Sequence, residues 1–164
     1  MTDNPNAGGI PLTEGDNPVP VVARFYDLGQ IGTCTFVFGP LAGSWFLSRN
    51  WKAFGNDGAA FRTLLTGTVG TMAMLVGVLF LPDNIPHFIV PAAYTAIISS
   101  VATSQQKAGI DALKAKGIPR ASGWRAFFVG LAWLVLTVIL FFAVLMIIES
   151  AFPGLIPDPD AKPK

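Results

Sequence analysis

Four apolar stretches, at 31–48, 64–81, 87–104 and 127–148, constrain this chain more than anything else in it, because none of them contains Asp, Glu, Lys or Arg. A hydrocarbon core about 30 Å thick is crossed by about 20 helical residues, so each stretch has close to the length of a membrane span. The composition agrees: 52% of the residues are hydrophobic and only 13% charged, which is not how a soluble domain is composed. The expected fold is all-α, an integral membrane four-helix bundle. Its domain covers 22–152, and the Pro- and Gly-rich tails 1–21 and 153–164 read as disordered, since neither holds an apolar run that could order it.

Helix punctuation supports that division. Asp57 is the expected cap of the second helix, which Pro82 stops; the polar residues Asp83 and Asn84 then turn the chain into the third. Polarity rises after Ser104 while helix-forming residues continue, so the third helix is expected to extend beyond the membrane to Lys116. Gly117, Ile118 and Pro119 supply its Schellman ending. The first stretch is the least regular. Pro40 has no amide hydrogen and presses on the carbonyl of Phe36, so with Gly39 beside it a helix here is expected to kink or break. Gly39 and Gly43, four residues apart, would let another helix approach closely.

Loop charge sets the orientation. The 49–63 segment carries Arg49, Lys52 and Arg62, and the 105–126 segment carries Lys107, Lys114, Lys116, Arg120 and Arg125; only three basic residues lie elsewhere. By the positive-inside rule both segments are cytoplasmic. Four crossings would then put both termini outside the cytoplasm.

Within the spans, small residues recur along the third at Ala92, Ala96, Ser100 and Ser104, a ridge that suits close helix packing. The fourth is bulky on every face, as lipid contact favours. The ridge therefore places the third helix at the centre of the bundle, or else it docks another subunit. His87, at the outer boundary, is the one candidate for a pH-sensitive group, although a solvated boundary histidine is the plainer reading. Cys34 reads as a small buried filler.

The chemical inventory is short. One His and one Cys cannot build a zinc site, an iron–sulfur site or a disulfide, and no ionisable group lies within a span to carry protons. No catalytic residue, metal or cofactor is expected. Expected partners are the lipid bilayer together with further copies of this chain or other membrane subunits, and no nucleic acid.

One block carries a resemblance. Thr35-Phe36-Val37-Phe38-Gly39-Pro40-Leu41-Ala42-Gly43, followed by Asn50, Lys52 and Gly55, resembles a group of small uncharacterised bacterial inner-membrane proteins with a TF-x-x-GPLAG-type first span. Phe38 stands where that group carries a second glycine. The likeness extends over roughly 30–133. It implies a four-span protein of the bacterial inner membrane and transfers no catalytic residue. Two functions follow as expectations: a non-catalytic structural or accessory subunit of a membrane assembly, or a small oligomeric channel or transporter for a neutral solute. The second would be lined by hydroxyls such as Thr33, Thr35, Thr66, Thr68, Thr71 and Ser99.

Overall fold

The computed structural model describes residues 24–79, 81–82, 84–86 and 88–152. Among them the fold is all-helical: α1 (Leu28–Phe38), α2 (Pro40–Ala53), α3 (Asp57–Val78), α4 (Ile89–Ala115) and α5 (Gly123–Ala151). The two tails and His87 lie outside the described residues. Among the described residues two helices, α3 and α5, are long and apolar enough to cross a membrane, against four spans expected.

The first stretch breaks at Gly39–Pro40, one of the two outcomes expected there. Residues 31–48 belong to two helices folded back on each other. Gly39 ends α1 and begins α2 with φ 93° and ψ 173°, a backbone conformation that favours glycine. Pro40 then occupies the first position of α2, where its missing N–H would have had no helical partner and its ring meets no preceding turn. The Gly-Pro pair therefore terminates a helix instead of bending one. At ~1.5 Å per residue α1 is about 17 Å long and α2 about 21 Å, and neither reaches across ~30 Å.

Contacts at the open end of this hairpin fix its direction. The Tyr26 N–H donates to Asn50 Oδ1 at 2.8 Å, the Ala121 N–H donates to the Phe25 carbonyl at 2.8 Å, and Lys114 Nζ lies 2.8 Å from Asp27 Oδ1. Residues 24–27 thus sit at the same end of the molecule as the basic 49–63 and 105–126 segments. Four crossings, with both termini opposite the basic loops, would place them at the other end.

The hairpin, and not α4, is the centre of the fold. α3 packs on α2, while α4 and α5 each pack on both α1 and α2. Small residues let the backbones close up: a Cβ on Gly43 would strike Thr35 of α1 and come within 3.1 Å of Ile98 of α4, one on Gly67 would strike Ser44, and one on Gly130 would strike Phe38. The small-residue ridge of α4 plays no such part, because Ala92, Ala96, Ser100 and Ser104 are all exposed. α4 turns another face inward, through Ile98, Ala102, Gln106, Gly109 and Leu113. Its inner end must accommodate the Phe25 and Phe54 rings, which only that face meets.

Helix ends follow local chemistry. Asn56, one residue before the expected Asp57, caps α3 by accepting from the Ala59 N–H at 2.9 Å. Gly117, at φ 72°, and the Ile118 N–H to Leu113 carbonyl bond of 3.1 Å close α4 as a Schellman turn.

Candidate functional site

Two arrangements use the polar residues of this apolar chain. The first is a clasp at the open end of the hairpin. The Asn50 side chain, fully buried, accepts from Tyr26 N–H, and its amide donates to the Tyr26 carbonyl at 2.8 Å and to Gln106 Oε1 at 3.1 Å. Gln106 in turn donates to the Leu47 carbonyl at 2.8 Å. One amide therefore binds the start of α1 to α2 and α4, and every group in the clasp has a partner. A network so fully satisfied holds the fold and has little capacity left for a ligand.

Around the clasp the ring of Tyr26 lies 4.6 Å from Phe46 and 6.0 Å from Trp45, centroid to centroid. Burial pushes the Tyr26 phenol above the ordinary tyrosine pKa, against the opposing pull of Arg125 and Arg49. Gln30 adds a tie of its own, donating to the Ala121 carbonyl at 3.0 Å.

The second arrangement is a groove of about 550 Å³ between α3 and α4, floored by α2. Thr63, Thr66, Gly67, Gly70, Thr71 and Met74 line it from α3 at helical spacing; Tyr94, Ile97, Ile98, Val101 and Gln105 line it from α4. Its one charged residue is Arg62, beside Gln105 at the basic end. The hydroxyls on α3 divide into two sets. Thr68 and Thr71 donate back to the carbonyls of Leu64 and Gly67, whereas Thr63 and Thr66 donate to nothing among the described residues. At the far end of the groove, by the Gly39–Pro40 turn, the Tyr94 hydroxyl makes a long bond of 3.4 Å to the Phe36 carbonyl. That is the acceptor Pro40 leaves without its helical donor.

The sequence-derived residues fall into separate places. Gly39 and Pro40 form the hairpin turn, and Gly43 is a packing contact. All eight basic loop residues, Arg49, Lys52, Arg62, Lys107, Lys114, Lys116, Arg120 and Arg125, are exposed at one end; Arg49 lies over the Trp45 ring at 5.6 Å and Lys114 pairs with Asp27. Of the candidate pore hydroxyls, only Thr66 and Thr71 reach the groove. Thr35 is buried and donates to the Ile31 carbonyl at 2.7 Å, and Ser99 faces Gly32. No group of three His, Cys, Asp or Glu side chains able to hold a metal occurs among the described residues.

Asn50 and Gln106 were not assigned a role from sequence. Their signal is an uncharged amide at the edge of an apolar run, twice, but a separation of 56 positions gives no hint that they meet. Compared with known proteins, the chain matches no family model, no curated protein and no solved structure.

Proposed function

We propose that this chain is a membrane protein of three crossings, α3, α4 and α5, around a re-entrant α1–α2 hairpin, and that it acts as a non-catalytic subunit of a membrane assembly. α4 counts as a crossing because its Gly109 packs on Phe54, just before α3 begins; if α3 leaves that side, α4 must return to it. Irregular backbone at membrane depth is tolerated only where protein buries it, and the Gly39–Pro40 turn has α3, α4 and α5 around its hairpin. The same arrangement puts nine of the eleven Lys and Arg on one side, leaving Lys162 and Lys164 on the other, a stronger charge bias than four crossings give. That side is read as the cytoplasm, in the bacterial inner membrane that the first-span resemblance implies.

The subunit role rests on one observation, the exposed ridge Ala92, Ala96, Ser100 and Ser104. Small residues offer lipid little contact and offer another helix a close approach, and the chain's own helices leave this face open. The solute-pathway reading has less support, since Thr35, Thr68 and Thr71 turn their protons onto their own helices.

Topology and role are tested separately. In a Cys34→Ala background, cysteines replacing Arg24 and Lys116 should react with an impermeant thiol reagent from the same side of sealed vesicles, and one replacing Ser150 from the opposite side. Reaction of Arg24→Cys from the side of Ser150→Cys would restore four crossings. For the role, Ser100→Cys should form cross-links in native membranes, while Leu136→Cys on α5 should not; equal cross-linking would remove the reason for a subunit.

A further inference from the structure

The groove between α3 and α4 has a polarity gradient along its length. From Tyr94 to Gln105, at ~1.5 Å per residue, it runs about 17 Å, close to half of the ~30 Å hydrocarbon core. Its floor and walls are mostly apolar, through Pro40, Leu47, Ile97 and Val101, and it begins at Arg62 on the basic side. Arg62 has no ion-pair partner among the described residues, and Thr63 and Thr66 next to it hold hydroxyls with no acceptor there. The volume of about 550 Å³ lies within the range of about 300–1,000 Å³ that suits a small ligand.

We propose that this groove holds one anionic glycerophospholipid of the leaflet on the basic side. Its phosphate meets the Arg62 guanidinium, its ester carbonyls accept from Thr63 and Thr66, and one acyl chain lies along α2 as far as Tyr94. The cation at the mouth selects charge, the hydroxyls lie where the esters of a lipid at that depth fall, and the length matches one leaflet. The proposal rests on α3 and α4 being crossings. Recovery of the full-length protein only in the detergent-extracted membrane fraction, checked first, separates failure of the lipid site from failure of that reading.

The test is native mass spectrometry of the full-length protein in mild detergent, titrated with phosphatidylglycerol or phosphatidylcholine. One phosphatidylglycerol should be retained in preference to phosphatidylcholine. Arg62→Gln should lower its occupancy about fivefold, as for loss of one cation near a headgroup, while Lys116→Gln, which removes equal charge outside the groove, should not. Thr66→Phe, which fills the groove from an exposed position, should abolish retention of both lipids without loss of helicity by circular dichroism. Three results would overturn the proposal: equal losses for Arg62→Gln and Lys116→Gln, undiminished retention in Thr66→Phe, or a spontaneous disulfide dimer of Thr66→Cys (with Cys34→Ala), which would seat a second copy in the groove.

Discussion

The two halves of the molecule, divided at the depth of the Gly39–Pro40 turn, are held in different ways. On the basic side Phe25, Ile31, Phe46, Asn50, Gln106 and Ile110 are all buried, and side-chain amides stitch together segments far apart in sequence. On the other side α4 has no buried residue from Ile89 to Tyr94, and α5 has none beyond Gly130. Only Thr71 and Leu75 of α3 are buried at comparable depth. One half is thus cohesive through its own contacts. The other exposes apolar helix faces that require a nonpolar surrounding, and the difference follows from where the short hairpin ends.

The sharpest way to break this contrast is to unmake the clasp. Asn50→Leu leaves the Tyr26 N–H and carbonyl and the Gln106 side chain without their partner, each at about 1–3 kcal/mol. The expected loss is at least about 3 kcal/mol, read as a collapse in thermal stability in detergent. Thr137→Val, which removes a hydroxyl bonded only to the Trp133 carbonyl of its own helix in the loose half, should change stability little. Comparable losses would erase the distinction between the halves.

A smaller effect is expected from glycine pairs. Gly43→Val drives side-chain atoms into Thr35 and Ile98, an overpacking cost of about 1–3 kcal/mol. Gly77→Val meets nothing within 4 Å and should be tolerated. Chemical denaturation in a fixed micelle compares the two directly.

Next comes alkaline pH. The folded state holds the Tyr26 proton more tightly than the unfolded chain does, so the contribution is intact below the ordinary tyrosine pKa of about 10 and is lost as pH rises through the folded value. Melting temperature should fall above about pH 10, and less so in Tyr26→Phe. The smallest effect belongs to the half-exposed Lys114–Asp27 pair, where Lys114→Gln should cost under about 1 kcal/mol and less in high salt.

What could be read in the sequence was what is written locally. The all-helical class follows from charge-free runs and helix-forming residues, and the end of α4 from Gly117, Ile118 and Pro119 in succession. The direction of the chain after Gly39 was not readable in this way. Gly-Pro permits a kink and a reversal equally, and the choice is made by bonds from Tyr26 to Asn50 and from Gln30 to Ala121, which no local pattern announces. The α4 ridge misled for a related reason: spacing shows which residues share a face and not which face a neighbour takes. The groove was half visible, since Thr66 and Thr71 drew notice as hydroxyls, but its mouth at Arg62 needed α2 and α4 in place.

The distant partners of the hairpin also set a timetable. Gln30 bonds the carbonyl of Ala121, 91 residues later, and Asn50 bonds Gln106, 56 residues later. At ~5–20 residues per second a ribosome takes about 5–18 s to supply the first of these partners. Until then α1 and α2 lack the clasp and the α5 contacts around their turn, so the earliest-made part of the chain waits longest for its final partners. Ribosome-stalled chains ending shortly after α4 should accordingly leave a cysteine at Phe38 (with Cys34→Ala), a position that α5 covers through Gly130, open to thiol reagents that the finished protein excludes.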